Sequence, residues 1–296
     1  MITCANMRSA SGFLYALLTS ASFGLIPLFT LPAMGAGMDF WSILIYRFAL
    51  ATLMLCTLLL CSRQGLRIKR GELLPLLLLA ALYDGSALLL FWGYHFMSSG
   101  VATTLHFTYP VLTTLLMMIF CHERGSWWRH TAVLLAVSGV WFLSSNGQNA
   151  PLSIAGLFIV LASGLCYAVY LVLVSQFRQL ELRGLKLTFY VFLFGTLLLV
   201  VGTAVAGVGL QSVPNRATWI NLLMLALIPT VVSNLTLVWA IRRIGSTLTS
   251  VMGALEPLTA VAVGILAFGE HFSLHIAIGI ALILTAVTLI VLKKSR

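Results

Sequence analysis

Ten stretches of roughly twenty apolar residues follow one another along this chain, and the short connections between them hold nearly all of its charge. They lie near 12–31, 40–61, 73–95, 98–120 and 131–146, then near 153–175, 187–208, 219–240, 245–268 and 271–292. Each is long enough to cross a hydrocarbon core of about 30 Å as a helix. Composition agrees: 60% of the residues are hydrophobic and 8% charged, against about 45–50% and about 25% in soluble domains. So few charges could not cover a water-soluble globule of 296 residues. The chain reads as an all-α polytopic membrane protein with ten transmembrane helices. The connections leave no room for an extramembrane domain carrying separate chemistry.

In a soluble protein a net charge of +10 would point to nucleic acid. Here it reports orientation, because basic residues are retained on the cytoplasmic side. With the N-terminus inside, the ten spans put Arg8, Arg63, Arg67, Lys69, Arg70, Arg124, Arg129, Arg178, Arg183, Lys186, Arg242, Arg243, Lys293, Lys294 and Arg296 on that side. Only Arg216 falls outside, and Arg47 lies within a span. One span more or fewer would scramble this sorting. Both termini are therefore expected in the cytoplasm. The run Gly12 to Leu31 has the look of a signal peptide, but it has a counterpart in the second half and is read as a span. Cys4, Cys56, Cys61, Cys121 and Cys166 show no paired spacing and read as small apolar residues.

The two halves repeat. "WGYHFMSSGVATTLHFTYP" and "WAIRRIGSTLTSVMGALEP" share the frame Trp-x17-Pro, and each continues to a glutamate thirteen residues further on. Trp92, Pro110 and Glu123 thus match Trp239, Pro257 and Glu270, 147 residues apart. "SGV" at Ser138 matches "TAV" at Thr285, small residues suited to close helix packing. "GFLYALLTSASFG" from Gly12 resembles "GLFIVLASGLCYA" from Gly156. Five spans in each half force the halves to enter the membrane in opposite orientations. The expected organisation is two five-helix inverted repeats, residues 1–147 and 148–296, an architecture typical of secondary transporters with a midplane site.

On "YRFALA" of the second span, "EPLTAVAVGILAFGE" of the ninth and its first-half version "YPVLTTLLMMIFCHE", the chain resembles the drug/metabolite transporter superfamily in its EamA-type branch. The resemblance covers essentially all ten spans. It departs in the seventh, "LTFYVFLFGTLLLV", which lacks an arginine where the second has Arg47. The resemblance implies ten helices, an inner-membrane location and movement of small metabolites or drugs, with amino acids and related compounds as the first test set.

Three charges fall well inside spans. An arginine at a helix centre costs ~2.5–3.5 kcal/mol on insertion scales, so Arg47 either snorkels to the headgroups, ties helices together or serves substrate and gate. Glu256 and Asp84 have no basic residue three or four positions away. Glu256 precedes Pro257, whose missing donor breaks the helical ladder and suits a wet cavity. Asp84, in "YDGSA", reads equally as a cavity residue or an interhelical hydrogen-bonding group. His106, Tyr109 and Thr113 recur at i, i+3 and i+7, a polar stripe on a helix interrupted by Pro110, or else ordinary packing. Tyr109 occupies the repeat position of Glu256. Tyr167 and Tyr170 share a face and read first as packing, with aromatic contact to a ligand as the alternative.

The expected substrate wall is therefore Arg47, Asp84, His106, Tyr109 and Glu256, beside helix breaks at Pro110 and Pro257. Two acids against one base leave a carboxyl without a fixed partner, and desolvation favours its protonated form. Glu256, and after it Asp84, is the expected proton-coupling group. Glu123 and Glu270 lie near the interfaces, where loop capping or a gate contact would account for them. Trp92, Trp239, Trp127 and Trp128 read as interfacial anchors. His271 and His275 are four apart, but no third metal ligand is evident. HExxH, GxSxG and the phosphate-binding GxxxxGK[ST] are all missing from the sequence. No metal or cofactor is expected, and no nucleic acid. The expected partners are a small-molecule substrate, the lipid bilayer and protons. The expected function is a secondary transporter, working as an exporter of small metabolites, amino-acid-like compounds or drugs. The competing class is a membrane-embedded enzyme or sensor without transport activity.

Overall fold

The computed structural model describes residues 2–63, 65–120, 127–144, 153–176, 184–240, 243, 253 and 255–294. Among them every regular element is a helix. In chain order these are α1 (Ile2–Gly24), α2 (Ile26–Gly35), α3 (Phe40–Cys61), α4 (Arg70–Gly93), α5 (Ser99–His106), α6 (Tyr109–Phe120) and α7 (Trp127–Ser144). Then come α8 (Ile154–Gln176), α9 (Gly184–Ala206), α10 (Arg216–Ala226), a π-helical segment Leu227–Val232, α11 (233–240), α12 (Leu255–Phe268) and α13 (Leu274–Lys294). Glu123 and the stretch 245–252 of the expected ninth span lie outside the described residues.

Six of these rods are long and apolar enough to cross a membrane: Ser11–Gly35, Phe40–Cys61, Arg70–Gly93, Ile154–Val174, Gly184–Ala206 and Arg216–Ala240. Leu255–Phe268 and Leu274–Ala286 are shorter apolar helices. The protein is turned inside out relative to a soluble one. Leu266 is 86% exposed and Leu74 76%, whereas Arg47 is 2% and Glu256 7% exposed. Water could not sustain such an exterior; lipid can.

Helix ends follow local chemistry. The Asp39 carboxylate accepts from the Ser42 N–H at 2.7 Å and starts α3. Glu72 reaches back to the Lys69 N–H at 2.7 Å and starts α4. Asn215 accepts from the Thr218 N–H at 2.8 Å ahead of α10. Gly269, at φ +63°, stops α12 in a left-handed conformation that a side chain would disfavour.

Three of the expected continuous spans are broken. The first divides at Leu25 into α1 and α2, and Gly24, beside the division, is where α1 crosses α12. A Cβ there would lie 2.5 Å from the Thr259 Cβ and 2.6 Å from the Glu256 carbonyl oxygen, so only glycine lets α1 cross α12 this closely. The fourth breaks at Phe107–Thr108 and not at Pro110, which corrects the sequence expectation. Pro110 is the second residue of α6, and Pro257 the third of α12. In the first turn a missing N–H leaves no carbonyl unpaired. Both prolines therefore begin helices, and neither kinks one. The eighth span contains the π segment around Pro229.

The principal packings pair α7 with α13, α4 with α8 and α9, and α3 with α9. α6 packs on α8, α1 and α5 on α12, and α10 on α2 and α3. The α4, α5, α8 and α12 walls, with the α1–α2 break and α3, enclose the interior cavity described next.

Candidate functional site

A cavity of about 40 Å³ lies where the broken helices meet. Phe23 and Ile26 enter it from the two sides of the α1–α2 break, Arg47 from α3, His106 from the end of α5, Tyr167 from α8 and Glu256 from the first turn of α12. α4 supplies Tyr83, Ser86, Ala87, Leu90 and Phe91. Roughly 10–15 Å³ admits one water, so the cavity as it stands has room for a few. An amino-acid-sized molecule needs its walls to separate.

The setting of Arg47 follows from one proline. In an α-helix the N–H of residue 229 would bond the carbonyl of Leu225, but Pro229 has none. The Thr230 hydroxyl donates to the Leu225 carbonyl instead, at 2.8 Å, and the backbone opens into the π turn. That hydroxyl oxygen in turn accepts from Arg47 Nε at 2.7 Å. Nη2 of Arg47 is 3.4 Å from the Pro229 carbonyl oxygen. The guanidinium carbon sits 5.5 Å from the Phe48 ring and 5.7 Å from the Phe91 ring, within cation–π range. Arg47 is therefore buried and tied to the second half of the chain, not directed to the headgroups. Thr230 and Pro229 were not singled out from the sequence. The signal was there in "LIPTVV", a proline followed by a hydroxyl in mid-span.

His106 Nδ1 is 2.9 Å from Ser163 Oγ, and Ser163 donates to the Ser86 carbonyl at 2.7 Å. A serine has one proton to give, so His106 must donate from Nδ1. That tautomer leaves Nε2 as an acceptor. Glu256 faces the same cavity from the first turn of α12. Its N–H bonds the Gly253 carbonyl at 2.9 Å, and among the described residues nothing donates to its carboxylate or pairs with it.

Of the five wall residues expected from sequence, Arg47, His106 and Glu256 are brought together here. Tyr109 and Asp84 are not on the wall. Tyr109 stands one layer behind, with ring centroids 4.7 Å from Tyr167 and 5.7 Å from His106. The i, i+3 relation between His106 and Tyr109 does not hold, because the helix ends between them. Their rings meet across the break. Asp84 points to the other side of α4, against Gly195 of α9, where a Cβ would come 2.5 Å from Asp84 Oδ1. Among the described residues neither Asp84 oxygen has a hydrogen-bond partner. Tyr83, one position earlier and about 100° around the helix, takes the inward place. Tyr167, for which the sequence put packing ahead of ligand contact, is a wall residue.

Glu270 has a defined role at one end of the bundle. Its carboxylate accepts from the Ser99 N–H at 2.8 Å, the Ser99 hydroxyl at 2.7 Å and the Gly100 N–H at 3.4 Å. It caps α5 from another part of the chain, satisfying donors that a helix start leaves open. Gly264 is required beside it, since a side chain there would collide with this carboxylate. His271 and His275 are exposed. Among the described residues no three His, Cys, Asp or Glu side chains cluster as metal ligands would.

With this geometry in view, comparison with known proteins is decisive for the family. The profile of the EamA-like transporter family matches residues 10–145 and again residues 154–292. The chain belongs to the EamA-like transporter family. Among relatives, the "Probable terminal-alkyne amino-acid exporter" of Streptantibioticus cattleyicolor is 26% identical over 208 residues, 70% of this chain and 69% of that protein. An uncharacterized transporter of Synechocystis sp. is 26% identical over 209 residues, covering 70% of this chain and 63% of its own length. The threonine/homoserine exporter RhtA of Escherichia coli is 32% identical over 126 residues, 42% of this chain and 40% of that protein. The match thus spans less than two thirds of the Synechocystis and E. coli relatives. One solved crystal structure shares the fold at a TM-score of 0.67 and 18% identity over 98% of both chains.

Proposed function

We propose that this EamA-like protein is a secondary transporter that exports small amino-acid-like compounds across the bacterial inner membrane by alternating access. The observation that carries the reading is the interior cavity, which holds an unpaired carboxylate and a buried guanidinium where separate helices break. Such charges are costly in a membrane interior and belong to substrate or ion pathways. The exporter names of the relatives support the substrate class and direction.

Ten spans in two inverted repeats, residues 1–147 and 148–296, are part of the proposal. The packing supports it. Exchange α1–α2 with α8, α3 with α9, α4 with α10 and its π segment, α5–α6 with α12, and α7 with α13. The α4–α8 contact then becomes the α10–α2 contact, and α4–α9 becomes α10–α3. α6–α8 becomes α12–α1, while α3–α9, α5–α12 and α7–α13 map onto themselves. In this topology both termini are cytoplasmic, so alkaline phosphatase fused after Arg296 is expected to be inactive. Strong activity there would overturn the orientation.

The transport test is counterflow of labelled amino acids into proteoliposomes loaded with the unlabelled compound. Uptake above protein-free vesicles is expected for at least one amino acid. Uptake of none in a broad panel would sink the reading.

In the proposed orientation Glu270 closes the outer side by holding the end of α12 to the start of α5. Hydrogen bonds to a charged group contribute about 1.5–3 kcal/mol, and 1.4 kcal/mol is tenfold in an equilibrium. In an otherwise cysteine-free protein bearing Ala87→Cys, Glu270→Gln is expected to raise labelling by an impermeant thiol reagent from outside by about tenfold or more. Unchanged labelling would mean that the cap is structural and does not gate.

A further inference from the structure

The cavity holds one guanidinium and one carboxyl group, and the two are not paired with each other. Of the five donors on a guanidinium, Arg47 gives Nε to Thr230 and one Nη2 hydrogen to the Pro229 carbonyl. Among the described residues no acceptor takes the rest, and no carboxylate pairs with it. Glu256 lines the same cavity with its carboxylate open. The same cavity has an apolar part, Phe23, Ile26, Leu90 and Phe91, beside the more polar Tyr83, Ser86, His106 and Tyr167.

We propose that the cavity binds its cargo as a zwitterion, the cargo carboxylate on the Arg47 guanidinium and its ammonium on the Glu256 carboxylate. The apolar wall takes the side chain. This rests on the transport reading and narrows it to compounds that bear both charges. The physical reason is mutual compensation. Withdrawing Arg47 and Glu256 from water is costly for each. A zwitterion supplies both counter-charges in one molecule of no net charge. A compound carrying only an ammonium leaves Arg47 buried and unpaired; one carrying only a carboxylate does the same to Glu256. Removing one partner of a buried pair costs on the order of a hundredfold or more in affinity. His106 Nε2, an acceptor at the same wall, gives the ammonium a second place to donate.

The test uses the full chain in proteoliposomes, with counterflow of radiolabelled L-leucine. Unlabelled L-leucine, L-leucinamide (ammonium only) and N-acetyl-L-leucine (carboxylate only) are the competitors. L-leucine is expected to compete, and each half-charged analogue to be weaker by about a hundredfold. Arg47→Gln should erase the preference for L-leucine over L-leucinamide. Glu256→Gln should erase the preference over N-acetyl-L-leucine. Arg47→Lys, which keeps the charge, should retain the first preference, and melting curves in detergent will establish that each variant is folded. Equal competition by either analogue in the wild type overturns the proposal, as does full discrimination surviving in Arg47→Gln. If the protein carries labelled tetraphenylphosphonium but no amino acid, the zwitterion site and the amino-acid-like cargo both fall, and only secondary transport itself stands. If it carries nothing from either panel, both fall.

Discussion

A Glu256→Gln protein is expected to lose accumulation of cargo driven by a pH gradient while still exchanging cargo for cargo at saturating concentration. The substitution keeps the shape of the side chain and one oxygen acceptor, but nothing remains that can take up and release a proton. For one proton exchanged per net-neutral cargo molecule, one pH unit supports a concentration ratio of up to about tenfold. In the variant that ratio should collapse to one. The position is suited to coupling because Glu256 lies in the first turn of α12, beside the α1–α2 break, where a rearrangement of helix ends can change its access to water. Asp84→Asn is the informative comparison. Asp84 faces Gly195 at the α4–α9 contact, away from the cavity, and its loss should leave the gradient-driven ratio intact. If Glu256→Gln still concentrates cargo and Asp84→Asn does not, the coupling group sits between α4 and α9.

The largest effect on folding is expected at Gly139, on the α7 face that packs on α13. A Cβ there would come 2.7 Å from Ile283 Cγ1, 2.9 Å from the Gly279 carbonyl oxygen and 3.2 Å from the Ile283 nitrogen. Two of these are backbone atoms and cannot step aside, so the helices themselves must separate. Overpacking a tight core costs about 1–3 kcal/mol, and here the strain falls on the principal partner of α7. Gly139→Val should therefore lower the melting temperature in detergent markedly and reduce the yield of monodisperse protein. Ser138→Val, one residue away on the exposed side of the helix, should change neither. Equal behaviour of the two variants would show that α7 and α13 are not held at this distance in the folded protein.

That contrast also shows how far the sequence could be read. The small residues of "SGV" from Ser138 and "TAV" from Thr285 suggested a close helix contact, and the contact exists. Within these tripeptides Ser138 and Thr285 are exposed, while Gly139 and Ala286 are the buried ones. The same rotation separates Asp84 from Tyr83. In a soluble amphipathic helix the apolar stripe says which side faces the core. Here lipid and interior are equally apolar, so α4 and α7 are apolar all round and the sequence carries little record of their rotation about the axis.

What the sequence determined by itself was the all-helical class, the apolar spans such as α3 and the exceptional residues within them. α3 runs over 40–61 as the apolar pattern had it, because a spanning helix needs a fixed length and must satisfy its backbone within the segment. Arg47, His106 and Glu256 stood out because each polar group is costly there, and all three line the cavity. Only the tertiary structure decided which side each helix presents, and that Pro110 and Pro257 begin helices. It alone joined Arg47 to Thr230, 183 residues away, and turned Asp84 away from the group it was expected to join. Length and cost are properties of a segment in its solvent, and so they are written along the chain. Facing and pairing depend on how closely glycines such as Gly24, Gly139 and Gly195 let two backbones approach, and that is settled only when the helices meet.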